Sequence, residues 1–238
     1  MIYKVMTNHF QNVSYKKHFH STYSISLILD GECDILIDSK RYGVSKGEIR
    51  VINPFELHEI TKSSWTHKNL VLDMDFVSKV LGQKVVFKNV IKDKKLAYFL
   101  QKREMSLSDT EEFLKLLDKN YSLKDSVLKE PNSSKLQKAL CYIKKNVNTQ
   151  ELNVEKVAKY VGFSKYHFIR EFKKEMGVTP YQYIHNLKIN NAKELLLSSK
   201  SASLVAFQCG FADQSHFIKI YKKFYGHTPS KVSNNLLS

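Results

Sequence analysis

Two related stretches in the second half of the chain decide its fold. Residues 152–184 read LNVEKVAKYVGFSKYHFIREFKKEMGVTPYQYI, and residues 205–232 read VAFQCGFADQSHFIKIYKKFYGHTPSKV. The first copy contains Val157-Ala158, Gly162-Phe163, His167-Phe168, Gly177 and Thr179-Pro180, which recur as Val205-Ala206, Gly210-Phe211, His216-Phe217, Gly226 and Thr228-Pro229. The offset grows from 48 to 49 residues, so the second turn has one extra residue. A repeat of this kind indicates one structural unit used twice.

Each copy has the pattern of a helix-turn-helix. Val and Ala mark the buried side of a short helix, the glycine permits a sharp turn, and the phenylalanine pins that turn. A second helix follows, and its predicted N-caps are Ser164 in the first copy and Asp213 in the second. Across this half of the chain we predict helices near 135–147, 153–161, 164–176, 180–198, 202–209, 213–225 and 229–236.

The second helix of each copy is expected to turn phenylalanines inward and polar side chains outward. Recognition helices enter the major groove with their N-terminal residues, where such side chains reach base edges and following lysines reach phosphates. The predicted DNA-binding residues are Ser164, Lys165, Tyr166, His167, Ile169, Arg170, Lys173 and Lys174 in the first copy, and Gln214, Ser215, Ile218, Lys219, Lys222 and Lys223 in the second.

A long apolar helix is predicted between the copies, over residues 180–198. It carries enough apolar residues, among them Ile184 and Leu187, to pack on both copies and hold them at a fixed separation. Two recognition helices on one face can read successive major-groove segments, about 34 Å apart, from a single chain.

The net charge of +15 is concentrated in this half of the chain. Residues 131–238 contain 17 Lys and Arg against 6 Asp and Glu, whereas residues 1–130 contain 21 against 17. A basic excess of this size attracts the phosphates of a nucleic acid. A lysine-rich solvated surface is the alternative explanation of the charge alone.

The first half follows a different period. Apolar residues alternate in short runs from Tyr23 to Ile60, which predicts strands and a small barrel or sandwich. The predicted turns are Asp30-Gly31, Asp38 to Lys40, Lys46-Gly47 and Asn53-Pro54. Helical spacing then predicts helices near 74–82, 93–103 and 109–120, and the Leu and Phe residues of the last two are candidates for pairing two copies of the chain.

The segment Lys129-Glu-Pro-Asn-Ser-Ser134 combines proline with small polar residues, which is typical of a domain boundary. We therefore predict a two-domain α+β protein. Residues 1–130 form a β-barrel domain with flanking helices, and residues 131–238 form an all-α double helix-turn-helix domain.

Residues 135–233 resemble the C-terminal module of the AraC/XylS family of bacterial transcription regulators. The resemblance rests on the two quoted stretches, including Gly-Phe-x-Asp-x-Ser-x-Phe from Gly210 to Phe217. It implies sequence-specific binding of double-stranded promoter DNA. The base-reading positions that it implies are Tyr166, Ile169, Arg170, Gln214, Ser215, Ile218 and Lys219. Lys188 and Lys219 stand where Arg is usual or frequent in the family, and Lys cannot make the bidentate contacts of Arg.

The first half is more loosely similar to the cupin-type sensor domain of the same family. The similar positions are His18-Phe-His20, Leu29-Asp-Gly31, Gly47-Glu48 and the segment from Ile52 to His58. The resemblance implies that this cupin-like domain binds a small effector or mediates dimerisation, with His18, His20 and His58 as candidate effector-binding residues. Besides DNA, the candidate partners are therefore a small-molecule effector, a second copy of the chain and RNA polymerase.

The three histidines also support an alternative, a metal-dependent cupin enzyme, because such barrels bring their His ligands to one mouth. Those sites usually add a carboxylate shortly after His-x-His, but the first acidic residue after His20 is Asp30. No nucleophile with a partner at suitable spacing is evident. We favour a regulator that is not an enzyme and expect no metal or cofactor.

The three cysteines, Cys33, Cys141 and Cys209, are isolated, which suits a reducing cytoplasm better than a disulfide framework. No apolar stretch approaches the roughly 18 residues that would span a bilayer. The helical spacing of aromatic residues such as Phe168 favours core positions over stacking platforms for single-stranded nucleic acid. These observations favour a cytoplasmic protein that binds duplex DNA.

Overall fold

The structure is a computed structural model that describes residues 4–123, 133–197, 201–225 and 228–230. The chain divides into two compact units, Met1–Lys129 and Glu130–Ser238, which are described separately below. Residues 129–132 of the predicted boundary segment lie outside the described residues.

The N-terminal unit is built on an antiparallel sheet, which has six strands within the described residues. The strands are β1 (Lys4–His18), β2 (Tyr23–Ile37), β3 (Lys40–Ser45), β4 (Ile49–Ile52), β5 (His58–Leu72) and β6 (Val90–Ile91). Their order is β1-β5-β2-β4-β6, and β3 pairs with the second half of β2. Strands β1, β2 and β5 each have 15 residues, about 50 Å if straight, and register shifts interrupt the pairings of β5 with β1 and β2.

The prediction of a turn at Asp30-Gly31 is wrong, because both residues lie inside β2. The pairing of β2 with β5 changes register between Ile28 and Asp30. Gly31 has φ 74°, and an added Cβ would lie 2.4 Å from the carbonyl oxygen of Ser64. The glycine therefore forms a bulge that bends two paired strands together, rather than a turn that separates strands.

The other three predicted turns are confirmed. Asp38 and Ser39 adopt positive φ between β2 and β3, and Gly47 does so between β3 and β4. Turn geometry follows Asn53 as well. These turns were predictable because their backbone conformation is set by local residue types.

Both faces of the sheet are buried, and they carry different side chains. One face, which includes Tyr23, Ile25 and Leu27, packs against α1 (Met74–Leu81), α2 (Lys94–Gln101) and α3 (Leu107–Tyr121). The opposite face carries a second cluster, here called the barrel cluster: Ile28, Cys33, Ile35, Ile37, Val44, Ile52, Ile60 and Trp65. Further side chains of the strands, among them Phe10, Tyr15 and Tyr42, pack against the barrel cluster and make it the interior of a barrel-like unit.

The three helices of this unit lie where the apolar spacing predicts them, within about two residues at each end. Asp73, Asp93 and Ser106 cap them through side-chain oxygens that accept backbone N–H groups. Leu100, Phe113 and Leu117 are fully buried in the core of the unit. These three side chains are therefore not available to pair two chains, and pairing through the remaining Leu and Phe residues of α2 and α3 stays a prediction.

The described part of the C-terminal unit is helical. Its helices are α4 (Ser134–Asn146), α5 (Val154–Tyr160), α6 (Lys165–Met176), α7 (Pro180–Leu197), α8 (Ala202–Gln208) and α9 (Gln214–Tyr225). Each agrees with its predicted range within one residue. The predicted helix at 229–236 falls almost entirely outside the described residues.

Helix α7 is the interior rod of this unit. Residues 183–189 are all buried, so the helix is covered on every side over two turns. It packs against α6 on one side and against α8 and α9 on the other, as the predicted linker helix should. Within the described ranges, no helix is long and apolar enough to cross a membrane.

Candidate DNA interface

The two turns of the repeat have the same hydrogen-bond pattern. In the first, Val161, Gly162 and Phe163 donate N–H groups to the carbonyls of Val157, Lys159 and Ala158; in the second, Cys209, Gly210 and Phe211 donate to Val205, Phe207 and Ala206. All six N···O distances are 2.9–3.2 Å. Gly162 and Gly210 both adopt the left-handed conformation, with φ 71° and 68°. The sequence repeat is therefore a repeat of backbone geometry.

Helices α6 and α9 begin at the predicted caps. The Ser164 hydroxyl accepts the N–H of His167 at 3.4 Å, and the Asp213 carboxylate accepts that of His216 at 2.7 Å. Ala212 is the extra residue of the second turn. Beyond it the helices are in register again, so that Phe168 and Phe217 are both completely buried.

The outward positions are accessible in both helices. Two surfaces are defined here: the first reading face consists of Lys165, Tyr166, Ile169 and Arg170, and the second reading face consists of Gln214, Ser215, Ile218 and Lys219. All are exposed except Ile169 and Ile218, which are half-buried. Of the other predicted residues, Ser164, Lys173, Lys174, Lys222 and Lys223 are exposed and His167 is half-buried. Tyr166 is 86% exposed, so its ring and hydroxyl are accessible to a partner molecule.

Arg170 is the most polar member of the first reading face, and its neighbours hold it loosely. Its Nη2 lies 3.1 Å from Nδ1 of His167, and its Nε lies 3.4 Å from a carboxylate oxygen of Glu171. An exposed ion pair of this kind contributes little to stability. The guanidinium is therefore oriented but can exchange these contacts for a base edge.

The loop between α4 and α5, which leads into the first helix-turn-helix, packs tightly against the turn of the second. An added Cβ at Gly210 would lie only 2.7 Å from the carbonyl oxygens of Asn148 and Thr149, so no side chain fits there. Gln150 donates to the Phe211 carbonyl at 3.3 Å. Here this contact between residues 148–150 and residues 209–211 is called the interlock.

Lys188, on α7, adds a side-chain contact to both halves of the interlock. Its buried ammonium donates to the carbonyls of both Thr149 and Gly210, and it lies 5.7 Å from the centre of the Phe211 ring. Burial lowers the pKa of Lys188 below its usual value. The sequence alone does not predict the interlock; the presence of Lys188 at a position where Arg is usual is the only signal that points toward it.

His185 lies beside the interlock in a site that disfavours its charged form. Its ring contacts Tyr181 and His216, at centroid distances of 4.2 and 5.6 Å. Its buried Nδ1 has no hydrogen-bond partner. Burial first, and then the charges of His216, Lys188 and Lys223, lower the pKa of His185 to about 4.

The three candidate histidines of the N-terminal unit do come together. The His58 ring lies 4.2 Å from that of His18 and 5.0 Å from that of His20, measured between centroids. Burial and the two neighbouring rings hold the pKa of His58 well below its usual value. Yet no group of three or more His, Cys, Asp or Glu side chains in the described part of the chain is arranged to hold a metal ion. The metal-dependent enzyme alternative gains no support.

Comparison with known proteins assigns each of the two units to a protein family. Residues 5–129 match a family described as the AraC-like ligand binding domain, and residues 157–235 match a family described as a helix-turn-helix domain. The chain belongs to the AraC/XylS family. It is a DNA-binding transcription regulator with a cupin-like N-terminal unit and a helical C-terminal unit.

Relatives of this AraC/XylS regulator are similar over the whole chain or over the C-terminal unit alone. It is 27% identical over 222 residues to YbfI, an uncharacterized transcriptional regulator of Bacillus subtilis, covering 85% of this chain and 81% of YbfI. It is 32% identical over 101 residues to the regulator ArgR of Pseudomonas aeruginosa, covering 42% of this chain and 30% of ArgR. Apo ToxT K231A from Vibrio cholerae has the same fold, with a TM-score of 0.70 at 16% identity over 98% of this chain and 97% of ToxT.

The first prediction for this regulator concerns the glycines of the two turns. Gly162→Ala should cost about 1 kcal/mol, because φ is positive but the nearest atom to a new Cβ is the flexible Nζ of Lys135, at 3.9 Å. Gly210→Ala should cost about 2–4 kcal/mol, because the same strain is joined by a clash with two backbone carbonyls. Urea unfolding followed by the helical circular dichroism signal measures both, and equal costs would contradict the interlock.

The second prediction concerns acid stability. His185 has a folded-state pKa of about 4, below the value of 6.5 for an unperturbed histidine. Between these values the unfolded chain binds a proton that the folded chain excludes, so stability falls as pH falls. The opening free energy of α7 should drop by about 2 kcal/mol from pH 7 to pH 5 because of this residue.

Hydrogen exchange of α7 peptides, corrected for intrinsic rates, measures that change. In His185→Gln the drop should shrink by about the stated amount, whereas the matched variant His167→Gln, on the more exposed α6, should retain it. An identical pH dependence in all three proteins would show that His185 does not carry it.

Proposed function

We propose that this regulator reads two successive major-groove segments of a promoter, with α6 in one segment and α9 in the next. The observation that carries the proposal is that two helices with the same turn geometry, each with an accessible polar face, are joined by an interlock. The base-reading residues are Tyr166, Ile169 and Arg170 in the first segment, and Gln214, Ser215, Ile218 and Lys219 in the second.

The interlock supports a fixed spacing between the reading faces. A flexible joint would have to be ordered at the moment of binding, which costs free energy. Here the order is present beforehand, because Lys188 and the Gly210 turn hold the loop at residues 148–150. Two sites held at one separation also bind with the second contact effectively intramolecular.

Charge supports the second part of the proposal, contact with the DNA backbone. Lys173 and Lys174 lie in the last turn of α6, and Lys222 and Lys223 lie in the last turn of α9. Exposed lysines at these positions reach phosphates on either side of a groove, which makes affinity salt-dependent but carries little sequence information.

We further propose that the N-terminal unit binds a small-molecule effector. It matches the AraC-like ligand binding domain over nearly its whole length. ToxT, whose fold it shares, has been solved bound to an unsaturated fatty acid. His18, His20 and His58 are candidates for the site, because their rings are together and His58 is uncharged at neutral pH. RNA polymerase and a second copy of the chain remain candidate partners, and the cytoplasm is the proposed compartment.

The third prediction separates base reading from phosphate contact. Arg170→Ala should relax preference at one base position by about 1–3 kcal/mol, and Lys219→Ala should do so at a position one helical turn away, about 10 base pairs. Lys173→Ala should weaken binding to all sequences alike and reduce the salt dependence. The exposed Lys115 of the N-terminal unit provides the matched control, since Lys115→Ala should change neither quantity.

Selection of random DNA by each variant, followed by sequencing, measures these preferences. A uniform loss for Arg170→Ala would remove it from the base-reading set. If Arg170→Ala and Lys219→Ala change the base preference at the same position, the assignment of the two helices to separate segments is contradicted.

The fourth prediction concerns the spacing itself. Inserting five base pairs between the two selected segments turns them to opposite sides of the duplex, and affinity should fall to that of a single segment. Inserting ten base pairs returns the two segments to the same side of the duplex but leaves them farther apart. The loss of affinity should therefore persist if the interlock is rigid. Full binding to either insertion would show that the two helix-turn-helix units move independently.

A further inference from the structure

Arg50 is a buried cation without an anionic partner. It lies on β4, directly opposite Ser26 of β2, and is only 4% exposed. Its Nη1 donates to Sγ of Cys33 at 3.0 Å and its Nη2 donates to the Ser26 hydroxyl at 3.1 Å. Its Nε is buried and has no hydrogen-bond acceptor. Among the described residues, no carboxylate forms an ion pair with Arg50.

The neighbours of Arg50 do not compensate its charge. A thiol is a weak acceptor, and burial raises the pKa of Cys33, so that it carries no negative charge at neutral pH. Burial likewise raises the pKa of Tyr15, which faces Arg50, and keeps the phenol neutral. The half-buried carboxyl of Glu56 is instead held by Asn53 and Asn89. Burying a guanidinium among neutral groups is unfavourable unless a negative charge or further hydrogen-bond acceptors compensate it.

The surroundings of Arg50 combine polar groups with an apolar wall. Ser26 and Ser24 both donate to the side-chain oxygen of Asn69 at 3.0 Å, which leaves the Ser26 oxygen to face Arg50. Cys33 belongs to the barrel cluster, so the guanidinium that donates to it borders this apolar cluster. An apolar wall with one oriented charged group is the usual composition of a ligand pocket.

We propose that Arg50 binds the carboxylate of a small organic anion whose apolar body packs against the barrel cluster. The inference deepens the proposed effector function and rests on it. The edge formed by Nε and one Nη presents two parallel N–H donors, which matches the two oxygens of a carboxylate. A phosphate dianion would need more positive charge than this single residue supplies.

The alternative is that Arg50 has a purely structural role in the barrel. The two roles predict opposite effects of Arg50→Met, which has nearly the same length and no charge. If Arg50 serves a ligand, removing an uncompensated buried charge leaves the ligand-free protein as stable or raises its Tm by about 2 °C or more. If Arg50 is structural, the same change lowers the Tm.

The test follows the unfolding of the full chain by the fluorescence of Trp65, which is the only tryptophan and lies in the barrel cluster. Benzoate, cyclohexanecarboxylate and hexanoate are the probes, each compared at equal ionic strength with its primary amide. At least one carboxylate should raise the Tm by about 2 °C or more, and its amide should not. Arg50→Met should lose this shift, whereas the exposed Arg103→Met should retain it.

The remaining outcomes also decide the question. Equal shifts from an acid and its amide, no shift from any of the three acids, or stabilisation by inorganic phosphate alone would overturn the proposal. If Arg50→Met does not fold, Arg50→Lys decides: a weaker carboxylate-specific shift supports the assignment and an unchanged one overturns it. DNA binding by the unaltered protein is measured in a separate experiment. If that protein shows no sequence-specific DNA binding, the proposed reading of a promoter is overturned, but the Trp65 measurement of carboxylate binding is unaffected.

Discussion

The C-terminal unit depends on the close approach of a glycine to two backbone carbonyls. Gly210 lies so near the oxygens of Asn148 and Thr149 that a single methyl group would force them apart. The same glycine is required for the left-handed turn that starts α9. One residue thus takes part both in the turn between α8 and α9 and in the contact with the loop at residues 148–150. The corresponding Gly162 has only the first of these roles, so the repeat is symmetrical in backbone and asymmetrical in packing.

This asymmetry has an electrostatic consequence. The carbonyls that converge at the interlock carry partial negative charge, and Lys188 brings an ammonium to them from α7. Burial first, and then the charges of His216, Lys188 and Lys223, lower the pKa of His185. Not every positive charge of this unit therefore serves DNA. The exposed lysines and Arg170 contribute to the positive electrostatic field at the reading faces. Lys188 instead has a structural role, because it stabilises the interlock.

The sequence predicts most of the C-terminal unit because its signals are local. Helix period, Ser164 and Asp213 as caps, and the glycine turns all depend on residues within one turn of each other. The interlock is not predictable in this way, since it joins residues more than 60 positions apart. The N-terminal unit shows the same limit: Asp30-Gly31 has the residue types of a turn but forms a bulge in β2, because Ser64 of β5 lies opposite.

Strand β1 and most of β5 were not predicted, because they lack a regular alternation of apolar residues. Buried polar residues such as His67 and Ser63 interrupt the pattern, and only their partners across the sheet explain their burial.

Two buried cations, one in each unit, show how burial can indicate either structure or function. Lys188 donates to two backbone carbonyls that the fold brings together. Arg50 donates to a hydroxyl and a thiol, and one of its nitrogens has no acceptor. Burial disfavours both charges, but the ammonium of Lys188 faces two carbonyl oxygens, whereas the guanidinium of Arg50 faces weaker acceptors. A buried N–H donor without an acceptor is unfavourable, and the carboxylate proposed to bind Arg50 would supply that acceptor from outside the fold.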